Sequence, residues 1–372
     1  MDRVRYARVA PQQPADNAST GAYHREKQKN DGETQLKTEG AVTLSDVAAR
    51  AGVSIKTVSR VVNREENVSR ETRERVEAVL NELDYRPNIF ARSLAGSRSY
   101  LLSLLFDNPS PSYVLELQLG ALRQCRAAGY HLIVEEMDST SGDFDTQVAR
   151  LLQGSLADGF ILTPPLSDNV EVLGALHERG LPCVRIAPYL TGAAGAAIET
   201  DDAAAAADMT RHLLELGHRR IGFIKGHAAH GASHLRTEGF FAAMRAQGLA
   251  VELDLVVEGD FSSRSGVEAA ERLLMRSDRP TAIFASNDDM ALGAMMVASR
   301  LGLHIPQDLS ICGFDDSRTA LLTWPQLTTV RQPVADMSAA AAELLIAHKG
   351  PPERMMFDLQ VVVRGSTGPV RS

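Results

Sequence analysis

The sequence predicts a chain of class α plus α/β, with a small all-helical module ahead of a larger α/β part made of two lobes. Three observations predict it. Helix caps and a glycine turn crowd residues 43–83, short apolar runs alternate with amphipathic helices from residue 100 onward, and residues 1–41 are polar and aperiodic. The chain has 372 residues and 44% hydrophobic content, enough for two or three domains with a large core.

Residues 1–41 are rich in Gln, Asn, Lys, Gly and Ala and are expected to be a disordered extension. They lack the apolar core of a signal peptide. Arg3, Arg5 and Arg8 offer at most weak phosphate contacts there.

The next segment, TLSDVAARAGVSIKTVSRVVN (43–63), reads as two short helices around a turn. Thr43 and Asp46 have the spacing of a helix cap and its reciprocal carboxylate, and they precede the apolar Leu44, Val47 and Ala48. Gly52 supplies the backbone freedom a tight turn requires, and Ser54 suits the cap of the second helix. In that helix Val58 and Val62 are assigned to the core. Ile55, Lys56, Ser59, Arg60 and Asn63 form a different stripe of one apolar tip, two cations and two neutral hydrogen-bonders. That set suits a DNA major groove, whose edges offer acceptors and methyl groups. The pattern is that of a helix-turn-helix. Ser69 caps a third helix, with Val76, Val79, Leu80 and Leu83 on its inner side. Pro87 stops the preceding helix, and Asn88 then caps a very short helix that carries Arg92 and Leu94 and ends at Ala95-Gly96. One or two turns are marginal alone in water, which makes this segment a candidate switch.

These blocks resemble the LacI/GalR family of bacterial transcriptional regulators. The resemblance is carried by VTLSDVAARAGVSIKTVSRVVN, VSRETRERVEAVLNELDYRPN and ARSLAGSRS, and it runs from about residue 42 to about residue 367. It implies a three-helix DNA-binding domain with a hinge helix, then a two-lobed effector domain like the periplasmic sugar-binding proteins. The expected boundaries are 42–86 for the DNA-binding domain and 87–99 for the hinge. The first lobe takes 100–198 with 333–360, and the second 199–332 with 361–368. DNA contact is expected from Thr43, Ser54, Ile55, Lys56, Thr57, Ser59, Arg60 and Asn63. In the hinge it is expected from Asn88, Arg92, Leu94 and Ala95, with Leu94 as the wedge between base steps.

Charge and cysteine usage agree with a DNA binder of this kind. The net charge is -8, but residues 1–98 hold 17 Lys and Arg against 14 Asp and Glu, net +3, while the remainder is net -11. Affinity for DNA should be salt-sensitive and depend on two half-sites acting together. Cys125, Cys183 and Cys312 lie far apart, as reduced thiols in a cytoplasmic protein would. No apolar stretch is long enough to span a membrane.

From residue 100 the strands are expected at 101–106, 131–136, 160–163, 183–187, 220–225, 282–286 and 311–316, with helices such as 113–128, 203–216 and 288–301 between them. The Ala-rich stretches 193–197 and 203–207 indicate only tight packing and short loops. Ligands of open α/β sheets sit at the carboxyl ends of strands. Polar residues there are Thr163, Asn287, Asp315 and Asp316, joined by Arg236, Phe261 and Gln332 from nearby loops. Amides, a carboxylate, a guanidinium and an aromatic suit a sugar: its hydroxyls take the polar groups and its C–H face the ring. By resemblance Arg236, Phe261, Asn287, Asp315 and Gln332 fall on family effector positions, with Tyr113 lining the cleft from the other lobe. Asp288, Asp289 and Asp316 read more simply as helix caps. The chain departs from the family in the strand CVRIAP, where a carboxylate is common and Ala187-Pro188 stands, so a lactose-type or purine-type preference does not transfer. Arg185 is left as a structural cation.

Catalysis and metal binding find little support. The carboxylate pairs 201/202, 288/289 and 315/316 are adjacent, so strand geometry would point them apart, and the sequence has no nucleophile-elbow, dinucleotide or Walker motif. His227, His230 and His234 read as a cleft rim rather than as ligands, and no cofactor is expected. No leucine heptads follow the last strand, so the expected partner is a second copy, giving a homodimer on a near-palindromic operator. The function expected is a repressor of carbohydrate uptake or catabolism genes, released from double-stranded DNA by a sugar. The alternatives are a solute-binding protein without DNA function, or a regulator answering to a nucleoside, a nucleobase or a phosphocarrier protein.

Overall fold

The computed structural model describes residues 42–62, 67–85, 98–190, 195–347 and 353–371. The N-terminal extension, Asn63 and the hinge residues Asn88, Arg92, Leu94 and Ala95 lie outside them. The chain divides into two compact units, residues 1–86 and 87–372.

The first unit contains α1 (Leu44–Ala51), α2 (Ile55–Val62) and α3 (Arg70–Glu82). Thr43 and Asp46 form the reciprocal cap: the Thr43 N–H donates to Asp46 Oδ2 at 2.8 Å, and the Asp46 N–H donates to Thr43 Oγ1 at 3.3 Å. Gly52 takes the left-handed conformation at φ +65° and donates its N–H to the Ala48 carbonyl. Ser54 accepts from the Thr57 N–H, and Ser69 accepts from the Thr72 N–H. The core is almost entirely valine and alanine: Val47, Ala48, Ala51, Val58, Val61, Val76 and Val79. Val61, three residues from Val58, is the deeper partner in α2. Val62 packs only at the margin, because the third helix approaches from the Val61 side.

The second unit holds two parallel sheets. In the first, β1 (Leu101–Phe106), β2 (His131–Glu136), β3 (Gly159–Leu162), β4 (Cys183–Ile186), β5 (Ala196–Thr200) and β11 (Arg354–Phe357) run in the order β11-β5-β4-β3-β1-β2. Around it lie α4 (Pro111–Ala128), α5 (Phe144–Gly154), α6 (Val170–Glu178) and α11 (Val334–Ala347). Side-chain alternation divides the strands between the two faces. Leu102, Leu104 and Ile161 pack under α4 and α11, whereas Leu105, Phe160 and Leu162 pack under α5 and α6. The second sheet has β6 (Ile221–Lys225), β7 (Val256–Glu258), β8 (Ala282–Ala285) and β9 (Ser310–Cys312) in the order β7-β6-β8-β9. Its helices are α7 (Asp202–Glu215), α8 (Gly231–Ala246), α9 (Ser263–Leu274) and α10 (Asp288–Arg300). Phe223 and Phe284 face α7 and α8, while Ile224 and Ile283 face α9 and α10.

Two features differ from expectation. β5 is a strand although alanine disfavours strands. It lies between β4 and β11 with Ala197 and Ile198 fully buried, where small side chains let α11 pack close. The last strand, β12 (Gln360–Val362), pairs antiparallel with β10 (Thr329–Arg331) as a separate ribbon. Bridges Cys312–Thr328 and Asp315–Arg331 tie that ribbon to the end of β9. Among the described residues no helix is long and apolar enough to cross a membrane.

Close helix crossings depend on glycine. A Cβ at Gly120 of α4 would stand 1.9 Å from the Ala335 carbonyl oxygen of α11, and one at Gly239 of α8 would stand 2.1 Å from the Ala203 carbonyl oxygen of α7. Gly120→Ala is expected to lower stability by about 1–3 kcal/mol, read from the urea midpoint at unchanged slope, because backbone cannot yield as a side chain does.

Candidate functional site

The first unit presents one face without a core role. Ser54, Ile55 and Lys56 are exposed, Ile55 by 51% despite being aliphatic, while Val58 and Val61 on the opposite side are sealed. Thr57, Ser59 and Arg60 are half-buried beside them. Thr43 and Thr57 spend their hydroxyls locally, on the Asp46 carboxylate and on Ser54. An exposed isoleucine flanked by a hydroxyl and a cation at the start of a second helix is the surface a major groove accepts.

In the second unit the carboxyl ends of both sheets converge on an open cleft of about 370 Å³, solvent-filled mouth included. From the first lobe come Asn108 and Ser110 after β1, Tyr113 at the start of α4, Pro164 after β3 and Ala187 after β4. From the second come His230, Ala232 and Arg236 around the start of α8, Phe261 after β7, Asn287 after β8 and Asp315 after β9. Gln332, just past β10, completes the lining. Six of the seven expected residues are thus together. Thr163 is the exception: it is fully buried and donates its hydroxyl to the Leu105 carbonyl at 3.1 Å, leaving the cleft to its neighbour Pro164.

Arg236, only 4% exposed, is the hub. Its Nε donates to Asp202 Oδ1 at 2.7 Å, Nη1 to the Ser286 carbonyl at 2.5 Å and Nη2 to Gln332 Oε1 at 3.5 Å. Its guanidinium carbon lies 3.6 Å from the centroid of the Phe314 ring. Asp315 Oδ1 is 3.9 Å from Nη1, an ion pair beyond hydrogen-bonding distance. Asn287 caps α10 through its amide oxygen, 2.9 Å from the Met290 N–H, and donates its amide nitrogen to the Phe261 carbonyl at 2.8 Å. Capping and cleft-building are one role here.

The neighbouring carboxylates are not helix caps. Asp288 accepts from Thr329 Oγ1 and the Ser317 N–H; Asp289 accepts from Ser110 and Ser112 of the other lobe; Asp316 pairs with Arg331 and Arg364. Of the first pair, Asp201 caps α7 while Asp202 is buried against Arg236. Arg185 is structural: it donates to the Ser167 and Leu190 carbonyls, and Asp168 beside it accepts from the Tyr189 and Leu190 N–H groups. This holds Tyr189 over Gly231, where a Cβ would meet the tyrosine Cβ at 2.1 Å.

Burial shapes the titrations. It pushes the Asp315 carboxyl well above its usual range. Arg236 opposes that shift, and Asp288, Asp289 and Asp202 add to it. Burial likewise raises Asp288 to about 7 and raises the Tyr113 hydroxyl. His230 is lowered to about 4 by burial, with His227 adding to the shift. His227 is 6.0 Å from His230 between ring centroids, and His234 turns to the Ala228 carbonyl. Among the described residues no three His, Cys, Asp or Glu are placed to hold a metal ion.

Backbone strain collects at the same place. Ala187, Phe261 and Asp315 line the cleft at positive φ, and Asp316 follows them. Such conformations cost about 1–3 kcal/mol each outside glycine and persist where the surroundings impose them.

Asn108, Ser110, Pro164 and Ala232 were not singled out by sequence. The strand-end rule reaches Asn108 and Pro164 once every strand end is counted. His230, read from the sequence as part of a cleft rim, lines the cleft, as does Ala187 at the end of β4.

Comparison with known proteins fits this arrangement. Residues 43–88 match the family described as bacterial regulatory proteins, lacI family, and residues 210–367 match the periplasmic binding protein-like domain. Catabolite control protein A of Priestia megaterium is 36% identical over 307 residues, which is 82% of this chain and 91% of that protein. The chain belongs to the lacI family of bacterial regulatory proteins. It is a DNA-binding transcriptional regulator and not an enzyme. Among solved structures of this family, the lac repressor dimer bound to operator and the anti-inducer ONPF aligns at a TM-score of 0.72 with 28% identity, over 88% of this chain and 100% of that one. A complex of the transcriptional regulator CelR with cellobiose aligns at 0.65 with 30% identity, over 87% and 99%.

The buried histidine has a pH consequence. Its folded pKa of about 4 lies below the unfolded 6.5, so the unfolded chain binds the proton more readily between those values. Its contribution is intact above pH 6.5 and is lost as pH falls toward 4. His230→Gln is expected to lose about 3 kcal/mol less than the parent between pH 7 and pH 4, measured by denaturant titration at each pH.

Proposed function

We propose that this regulator is a homodimeric repressor of carbohydrate uptake or catabolism genes. It binds a near-palindromic operator in the cytoplasm and is released by a sugar held between its lobes. The observation that carries the effector half is the cleft's set of groups with work left to do. The Tyr113 hydroxyl, the His230 imidazole and the Asp315 carboxyl group line it beside the Phe261 ring. Hydroxyls satisfy such donors and acceptors, and a sugar's C–H face packs on a ring. The similarity to a regulator complexed with cellobiose supports the same reading.

For the DNA half, Ile55, Lys56, Ser59 and Arg60 read base edges and phosphates in one half-site, and the second copy reads the other. Relief of repression then requires the sugar to favour one arrangement of the lobes by a few kcal/mol. The lobes touch across the cleft through Asp289 with Ser110 and Ser112, and through Glu116 with Arg318. A ligand that shifts these contacts shifts the lobes.

The dimer reading draws on an exposed run, Leu321-Leu322-Thr323-Trp324, in which Leu322 is 83% and Trp324 94% exposed. A large aromatic and two leucines left in water mark a surface that another chain covers.

Lys56→Ala is expected to weaken operator binding about tenfold by fluorescence anisotropy, with unchanged melting temperature. In the same assay a sugar that raises the melting temperature should release the parent from the operator and leave Asp315→Asn bound. Release by nucleosides alone would favour the nucleoside reading, and release by neither would favour a protein partner. Trp324→Glu is expected to halve the sedimenting mass while leaving the far-ultraviolet spectrum intact.

A further inference from the structure

We propose that the segment ahead of the helix-turn-helix is a phosphate-binding arm. Its two basic clusters, Arg3 with Arg5 and Arg8, and Arg25 with Lys27 and Lys29, engage the sugar–phosphate backbone of duplex DNA flanking a half-site without reading its sequence. The match to the family's DNA-binding module begins at residue 43, so the arm adds to what that module does.

The module by itself is short of positive charge. Residues 42–86 carry eight Lys and Arg against eight Asp and Glu, a net charge of zero, and the effector unit behind them is acidic. Several of its groups are also spent. Arg50 is paired with Glu82 and Arg70 with Glu74. A helix ordinarily attracts a phosphate at its amino end. At that end of α1 the Thr43 N–H and hydroxyl both donate to Asp46 Oδ2. These bonds hold the Asp46 carboxyl below its usual range, so it stays charged and repels an anion. Ser54 and Thr57 share a hydrogen bond between their hydroxyls at 2.9 Å. Lys56 stays exposed at the start of α2. Beyond the other end of the module, Arg98 donates to the Tyr130 hydroxyl and the Ile346 carbonyl. Duplex DNA carries a negative charge about every 1.7 Å, and sequence-independent affinity comes from the cations that neutralise it. A module of zero net charge therefore gains most from cations supplied by its own flanking chain.

The order of charges along the arm places the contact away from the module. Residues 1–9 hold three Arg against Asp2, and residues 24–29 hold one Arg and two Lys against Glu26, so each cluster is net +2. Residues 30–41, next to α1, hold Asp31, Glu33 and Glu39 against Lys37, net -2. Val42 packs against the core of the first unit and Thr43 caps α1, so the described chain is fixed to the module from there on. Phosphates repel the acidic stretch beside the module and attract the two clusters beyond it. Thirteen residues separate Lys29 from Thr43. Their covalent reach is at most about 45 Å, more than one duplex turn of about 34 Å, so even the nearer cluster can pass the edge of a half-site.

The test is the salt dependence of DNA affinity for the full-length protein, read by fluorescence anisotropy from about 50 to 200 mM salt. The probe is a duplex that the protein itself enriches from a random library, used as the enriched core alone and with a flank of one helical turn on each side. The Gln variant carries Arg3→Gln, Arg5→Gln and Arg8→Gln together. On the flanked duplex it should bind about tenfold more weakly at the lowest salt. Its plot of log affinity against log salt should be shallower by about 2–3 for each chain bound, at about 0.9 per phosphate. On the core alone the two proteins should agree, and their melting temperatures should be equal. A variant with Arg3→Lys, Arg5→Lys and Arg8→Lys keeps the charge and should keep the parent's slope. Equal slopes for the parent and the Gln variant overturn the proposal. So does a Gln variant that binds more tightly, which places the arm against the acidic effector unit instead. A loss of equal size on the unflanked core overturns the flanking contact, and a loss that changes with the flank's sequence overturns the phosphate reading.

Discussion

Arg236 is buried with its whole charge, and much of the effector unit is organised by the need to satisfy it. A guanidinium withdrawn from water is tolerable only when its N–H groups and its charge are matched. Here the matches come from four separate places: the first turn of α7, the end of β8, the segment after β10 and the Phe314 ring. Each partner lies at the carboxyl end of a strand or close to it. Satisfying one cation therefore aligns the floor of the second lobe with a crossing into the first. The pair is better regarded as a constraint on geometry than as a source of stability. Loss of either partner would strand a buried charge, whereas an apolar replacement of both could be nearly neutral.

The strained backbone belongs to the same logic. Ala187, Phe261 and Asp315 turn into the left-handed region where their strands stop. Phe261 is held there by the Asn287 amide on its carbonyl, and Asn287 is held by the helix it caps. Rigid parallel strands thus deliver side chains into a common space, and the cost is met by hydrogen bonds a few residues away. The contacts that cross between the lobes are of another kind. A carboxylate on two serines and one Glu–Arg pair are few and polar, and contacts of that kind exchange readily for water. A stiff site joined by exchangeable links is what the proposed coupling of ligand to DNA demands.

Charge placement completes the picture. The acidic effector unit keeps the molecule's net charge at -8, so attraction to DNA rests on the small N-terminal unit and its few cations. That unit is built economically, with seven buried valines and alanines holding three helices together. Its outward isoleucine and lysine are thereby free of any structural duty.

The local features were legible in the sequence because their causes are local. A cap needs residues three apart, a turn needs a glycine, and strand and helix periodicities repeat within a few residues. Thr43 with Asp46, Gly52, Ser54, Ser69 and the strand–helix alternation follow from such signals, and so do most of the cleft residues, since strand ends can be counted. Family resemblance supplied the DNA-binding and effector positions that pattern alone would not single out. What tertiary structure decided are matters of distance in sequence. Ser110 meets Asp289 across 179 residues, and Arg236 meets Gln332 across 96. No local rule turns Thr163 toward Leu105, prefers Val61 to Val62, makes a strand of alanines or buries His230 as a neutral base. Those outcomes depend on which surface packs against which, and packing is settled only when the whole chain is in place.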